Sequence, residues 1–293
     1  MQSVRRFVSL KTDASISMRD ASRIRRSMYA PWGAKRFTPL VAFIWLAAAS
    51  AASGLNDTGQ TQCYDAAYSA VACSAAVGGD NGVNPRQDAR YGRDAKAAAG
   101  LLSKIGAGTA GFDFTKISNG GNALAVSASL GSAITDWACT RDNVTGLMWE
   151  IKSATAGLRS KSRGYSWYST DSTRNGGNAG TVGTDTCGGT LGNFGNQCNT
   201  QNYLNAVNAM ALCGANDWRL PTQVELESIA VDYASGATVD ADYFPNPFSI
   251  FQWTASTYAP DPSGAWVVRL YGGDSYPHLK SEQWPIRLVR SAL

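Results

Sequence analysis

Six cysteines constrain this chain more than any other feature: Cys63, Cys73, Cys139, Cys187, Cys198 and Cys213. All lie behind a cysteine-free leader. In that leader Lys35 and Arg36 precede an apolar run, Pro39 to Ala49, which carries Val41, Phe43, Ile44, Trp45 and Leu46. Small residues, Ala49-Ser50-Ala51-Ala52, follow. A basic segment, a short apolar run and an A-x-A-like end describe a secretory signal, so residues 1–52 are expected to be removed by cleavage near Ala51. An even number of cysteines in an exported chain implies a disulfide framework, for which fifteen pairings are formally open. The pairing expected is Cys63–Cys73, Cys187–Cys198 and Cys139–Cys213. The first two close short loops and the third ties a strand to a helix end. A zinc site is the rival reading, but the chain has no C-x-x-C and a single histidine.

Charge divides at the same place. Residues 1–52 hold nine Lys/Arg and two Asp, a net +7, and the remainder, with seventeen basic and twenty acidic side chains, is −3. That remainder has no basic run, which argues against nucleic-acid binding. The apolar run is too short for a comfortable spanning helix, so no membrane span is expected in the mature chain. Export to the periplasm, the cell surface or the medium is the expected destination. Charged residues are only 16% of the chain and there are thirty glycines, a composition of long turns and short strands.

Residues 53–130 are rich in Gly, Ala and Asn and weakly periodic, and read as a small loop-rich N-terminal module. From Trp137 the signals sharpen, and residues 137–291 read as the main domain. Thr145 to Glu150 is expected to be a strand. Residues 170–199 form a Gly/Asn/Thr-rich excursion ending in the Cys187–Cys198 loop. A helix follows, capped by Thr200, with Leu204, Val207 and Ala211 on one face and a stop at Gly214. A second helix starts at a T-x-x-E capping box, Thr222 and Glu225 behind Pro221, with Leu226 and Ile229 at helical spacing. The tail reads as strands. Trp266, Val268 and Leu270 are expected on one face of a strand, and Ile286, Leu288 and Arg290 on one face of the last.

Four segments resemble the C-terminal domain of the Legionella collagen-like protein family, long catalogued as a domain of unknown function. They are Val144-Thr145-Gly146-Leu147-Met148-Trp149, Asp217-Trp218-Arg219-Leu220-Pro221-Thr222 through Leu226, Trp253-Thr254-Ala255-Ser256-Thr257-Tyr258, and Arg287-Leu288-Val289-Arg290. Asn56-Asp57-Thr58-Gly59-Gln60 and Gly92-Arg93-Asp94-Ala95 resemble stretches that accompany this domain in exported bacterial proteins. The Arg219-Leu220-Pro221-Thr222 block is also similar to one in the formylglycine-generating enzyme family. These resemblances imply an α+β, C-type-lectin-like domain: two helices, a twisted antiparallel sheet and chain ends close together. They also imply glycan binding, because the family's named member is an adhesin for sulfated glycosaminoglycans. A mature charge of −3 makes such polyanions a less natural ligand here.

The binding candidate is the stretch Tyr271, Asp274, Tyr276, His278, Lys280 and Trp284, where aromatic faces alternate with polar groups in a glycine-hinged loop. Trp218, Arg219, Pro221, Thr222 and Glu225 are read as structural: a core tryptophan, an arginine paired with a carboxylate, and a capped helix. Asn143-Val144-Thr145 matches a glycosylation sequon but is read as strand sequence. No catalytic residue is expected. One histidine does not make an acid–base constellation, and no cysteine follows Cys213 to supply the chemistry of the formylglycine-generating enzymes. Calcium is the one cofactor left open, through Asp261 and Asp274, with Asp240 and Asp242 also in turn-like sequence. The expected function is an exported, non-catalytic binding protein recognising a glycan or a cell-surface partner. The alternative is a structural envelope or surface protein that associates with other proteins, ahead of a hydrolase or modifying enzyme.

Overall fold

The computed structural model describes residues 56–59, 62–65, 67, 69–73, 87–187, 189–231, 239–245, 251–271 and 273–292. The leader and its cleavage point lie outside these residues. The elements are β1 (Cys63–Tyr64), β2 (Ala70–Val71), α1 (Asp88–Tyr91), α2 (Arg93–Ala98), β3 (Phe114–Ser118), β4 (Trp137–Asp142), β5 (Leu147–Glu150), α3 (Thr200–Ala209), α4 (Gln223–Glu227), β6 (Phe251–Thr257), β7 (Gly264–Arg269), β8 (Asp274–Leu279) and β9 (Val289–Ser291). The chain is mixed α/β with few helices, and every strand pairing is antiparallel. Among the described residues no helix is long and apolar enough to cross a membrane.

One sheet runs β3-β4-β5-β9 and a second runs β6-β7-β8, while β1 and β2 form a separate ribbon. The first sheet crosses the boundary expected between an N-terminal module and the main domain. Phe114 pairs with Asp142 and Ile117 with Cys139, so residues 114–118 belong to the main sheet. Phe114 is buried against Tyr243 and Phe244, and buried Phe112 stacks on Phe114. The weak periodicity of that region hid a strand buried along most of its length.

The turn between β4 and β5 explains the Asn143-Val144-Thr145-Gly146 sequence. The Asp142 carboxylate accepts hydrogen bonds from Val144 N, Thr145 N and Thr145 Oγ1. Gly146 sits at φ 72°, a conformation that favours glycine. The strand therefore begins at Leu147, and Thr145 is part of the turn.

Two apolar clusters flank the second sheet. Trp253, Ala265 and Val267 face one, with Tyr165, Trp167, Tyr203 and Trp218. Val268 and Leu270 face the other, with Phe114, Trp149 and Phe244. β7 is buried on both faces, with Trp266 and Arg269 its partly exposed residues and Trp266 packed edge-on against Tyr258.

The three disulfides are Cys63–Cys73, Cys139–Cys213 and Cys187–Cys198, the expected pairing. Among the described residues there is no free cysteine. Helix α3 differs from expectation in two respects. Asn199 caps it, accepting from Asn202 N at 2.8 Å, and Thr200 is its first residue. Its buried face is Thr200, Tyr203, Ala206 and Val207, with Ala211 exposed beyond its end. The helix stops at Ala209, and Ala211 and Cys213 take left-handed backbone angles in the turn that delivers the Cys139–Cys213 bond.

Candidate functional site

The Asp217–Leu226 block is built as a scaffold. Trp218 is buried, and its indole N–H donates to Leu212 O at 3.0 Å. Its backbone N–H and C=O are both engaged by the Asn208 amide, at 2.8 and 3.0 Å. Arg219 grips Glu225 through two parallel bonds of 2.7 and 2.6 Å. Glu225 in turn accepts from Thr222 N, and Thr222 Oγ1 accepts from Glu225 N, closing the expected capping box at α4. Burial would raise the Glu225 carboxyl, but the Arg219 hydrogen bonds hold it below the usual range. Pro221 is buried, and its carbonyl accepts from Ala255 N, which locks the block to β6.

The Tyr271–Trp284 stretch is not a loop. Its centre is β8, the outer strand of the second sheet. Tyr276, His278 and Trp284 gather around Phe251, with ring centroids 5.6, 4.9 and 5.2 Å from it, and His278 and Trp284 lie 5.0 Å apart. Phe251 is the member that sequence reasoning missed. It reaches the others because β6 and β8 flank β7 in one sheet. The His278 Nδ1 pairs with Glu282 at 2.9 Å, and Tyr271 and Tyr276 are exposed. Asp274 pairs with Arg269.

Lys280 is the correction within this group. Only 2% of it is exposed, so it offers nothing to a ligand at the surface. Its ammonium donates to Asn175 O at 2.9 Å and Asn178 O at 2.7 Å, and lies 4.1 Å from the Trp167 ring. Burial lowers its pKa to about 8. Lys280 is a clamp that holds the 175–178 turn of the glycine-rich excursion.

The acidic side chains expected to hold calcium are not brought together. Asp261 accepts from Ser263 N and Oγ, Asp274 faces Arg269, and buried Asp240 accepts from Thr109 N and Asp242 N. The carboxylates that do converge are those of Asp57, Asp88 and Asp94.

A cleft of about 230 Å³ opens elsewhere, between the 167–174 segment, the start of α3 and the Arg219-Leu220 segment. Trp167 is its buried floor, fixed by an indole bond of 2.9 Å to Thr254 O. Tyr168 is held by Thr200, whose hydroxyl accepts from Tyr168 N and donates to Tyr168 O. Ser169, Asp171, Arg174 and Gln201 supply the polar rim, and Arg219 borders it while bound to Glu225. Asp171 and Arg174 form an exposed pair at 3.4 Å, and hydrogen bonds from Thr173 hold the Asp171 carboxyl low. Among these, sequence reasoning named Thr200 as a helix cap and Arg219 as a structural arginine, and neither as part of a cleft. The remaining signal was the length of the 170–199 excursion, which was read only as a loop tied down by its disulfide.

The densest cluster of titratable groups is sealed inside the protein. Lys152 donates to Glu150 at 3.1 Å and to the Tyr203 hydroxyl at 2.6 Å, and Tyr203 also contacts Glu150. Leu288 N donates to the other Glu150 oxygen, and Arg287 to the Glu150 backbone carbonyl. Burial lowers Lys152 to about 8, against the pull of Glu150, and lowers Arg287 to about 10. Glu150, Lys152, Tyr203 and Arg287 have 1% exposure or less. Their chemistry is structural.

Residues 138–290, slightly more than half of the chain, match the family model described as the Lcl C-terminal domain. No curated protein matches the chain, and no solved structure does.

Proposed function

The chain belongs to the Lcl C-terminal domain family, and on that footing we propose that it is an exported, non-catalytic binding protein that recognises a glycan in the cleft beside Tyr168. The cleft carries the reading. Its volume, about 230 Å³, is below the ~300–1,000 Å³ of sites for drug-sized ligands, and matches a single sugar ring. A sugar presents hydroxyls that both donate and accept, over carbon–hydrogen faces that pack on aromatic rings. Tyr168 supplies a ring; Ser169 and Gln201 can donate and accept; Asp171 and Arg174 add one charge of each sign. That mixed rim favours a hydroxyl-rich, neutral glycan over a sulfated polyanion, which Asp171 would repel.

Export is supported by the basic and apolar leader and by three disulfides, bonds that persist in oxidising compartments. The non-catalytic reading is supported by the cleft's charged groups, each already committed to a partner. The C-type-lectin-like reading of the fold rests on α3, α4 and the antiparallel sheets with late strands closing the domain. A glycan array with the mature protein, with and without calcium, tests the proposal. Glycan binding that is lost in Tyr168→Ala and Arg174→Ala, at unchanged melting temperature, is the expected result. Binding unaffected by either variant overturns it.

A second reading is favoured by β8. Its outer edge, with Tyr276 and Leu279 exposed and Tyr271 exposed just ahead of the strand, offers an aromatic face to a protein partner in the envelope. Pro277 lacks an N–H, which blunts strand addition, so such a contact would run through side chains. Loss of association in Tyr276→Ala with glycan binding intact would select this reading.

A further inference from the structure

We propose that Asp57, Asp88 and Asp94 form a calcium site, lying outside the residues matched by the family model. Asp57 comes from one segment and Asp88 and Asp94 from the adjoining helices α1 and α2, and each offers a carboxylate oxygen within 4.8 Å of the others. Proximity of acidic groups is not enough on its own, because exposed clusters are common. Here the second observation is burial without partners. Asp57 is 5% exposed and Asp94 4%. Both carboxylate oxygens of Asp57, and Oδ2 of Asp94, are buried and make no hydrogen bond of good geometry, Gly111 N being the backbone donor beside Asp57. Among the described residues no lysine or arginine pairs with any of the three.

The surroundings orient these oxygens toward one another. Asp94 Oδ1 accepts from Gly111 N at 2.7 Å, which leaves Oδ2 facing the cluster. Asp88 Oδ2 accepts from Thr58 Oγ1, and Asp57 N donates to Asn56 Oδ1. Two glycines make room. A Cβ on Gly111 would stand 2.0 Å from Asp57 Oδ2, and one on Gly92 would stand 1.6 Å from Asp88 Oδ1. Three carboxylates this close and this dry cannot all stay charged without a counter-charge. The counter-charge that fits is a hard cation with oxygen ligands. Calcium accepts several carboxylates in irregular geometry, whereas magnesium keeps most of its water and takes one or two. Neither histidine nor cysteine belongs to the cluster, which disfavours zinc and copper. The ion would fasten the Asn56–Gly59 segment and the α1–α2 pair to the Gly111 loop that leads into β3.

The test uses the disulfide-intact protein, stripped with EDTA and titrated with CaCl₂ by calorimetry and thermal denaturation. One site per chain is expected, with the melting temperature rising by roughly 5–10 °C at a hundredfold excess over Kd. Asp57→Asn and Asp94→Asn should abolish both responses. Asp57→Asn should also match the wild type in EDTA, because the amide keeps the shape of the carboxyl, and fall below it in calcium. Asp88→Asn, at a half-buried position, provides a milder variant should the others not fold, and should weaken calcium binding at least tenfold. Asp261→Asn should leave it unchanged. A wild-type melting temperature insensitive to calcium, full calcium binding in the Asp57 or Asp88 variant, or an equal response to MgCl₂ would overturn the assignment.

Discussion

Replacing Lys152 by methionine probes the sealed pair at the centre of the fold. In the native protein the ammonium reaches Glu150 at 3.1 Å and Tyr203 at 2.6 Å, with both ends of the ion pair essentially inaccessible to water. Methionine fills similar space and deletes the charge. Glu150 then keeps Tyr203 and Leu288 N but loses its counter-charge. Orphaning one partner of a buried pair costs about 3–5 kcal/mol, whereas replacing both partners by uncharged groups is often neutral or better. The expected loss for Lys152→Met is therefore about 3 kcal/mol or more, and Glu150→Gln with Lys152→Met should recover most of it. Urea denaturation of the disulfide-intact protein at pH 7 reads both, through the midpoint at constant m-value. The pH dependence gives an independent check. Lys152 titrates near 8 when folded and at 10.5 when unfolded. Between those values the unfolded chain binds more protons, so stability rises with pH, by about 2 kcal/mol from pH 8 to 10. Lys280 adds a rise of the same sign to both proteins, so the readout is the difference between wild type and Lys152→Met. A single-variant loss under 1 kcal/mol, or a double variant as unstable as the sum of its parts, would refute the reasoning.

Other consequences are open to simpler experiments. Removing the Cys139–Cys213 bond, which closes a separation of 74 residues, should cost about 4 kcal/mol by the loop-entropy relation. Calorimetry of Cys139→Ala/Cys213→Ala checks this, and a loss below 1 kcal/mol would contradict it. Lys280→Met leaves the Asn175 and Asn178 carbonyls without their buried donor and should cost about 2 kcal/mol. It should also speed tryptic cleavage after exposed Arg174; an unchanged cleavage rate would deny the clamp. Arg219→Lys cannot reproduce the paired bonds to Glu225 and should cost about 1 kcal/mol in thermal stability, while Arg219→Lys at wild-type stability would remove the structural reading of that residue.

The features legible in the sequence were those whose cause is local. Thr222 and Glu225 lie three residues apart, and a capping box needs nothing else. Cys63–Cys73 and Cys187–Cys198 close short loops, so spacing alone pointed to them. The features that stayed hidden are made by distant partners. Nothing about Lys152 marks it as buried until Tyr203, fifty-one residues on, supplies its hydroxyl. Lys280 read as a surface cation because its acceptors are backbone carbonyls more than a hundred residues earlier. The buried face of α3 was misplaced because Tyr203 counts as core only when its hydroxyl has a buried partner, which apolar spacing does not reveal. Asp57, Asp88 and Asp94 likewise showed nothing at the level of composition, although the segments carrying Asp57 and Asp94 were recognisable as motifs.

The place of β9 bears on how the molecule is made. Ile286, Arg287, Leu288 and Val289 lie at the centre of the packed interior, and Leu288 completes the partners of Glu150. The pairing of β9 with β5 spans nearly half the polypeptide. Until β9 has paired with β5 the core is unfilled and the sheet incomplete, and a pairing of such high contact order forms slowly. The arrival of β9 thus sets when the main sheet and the core become one solid, because that strand pairs residues 289–291 with β5.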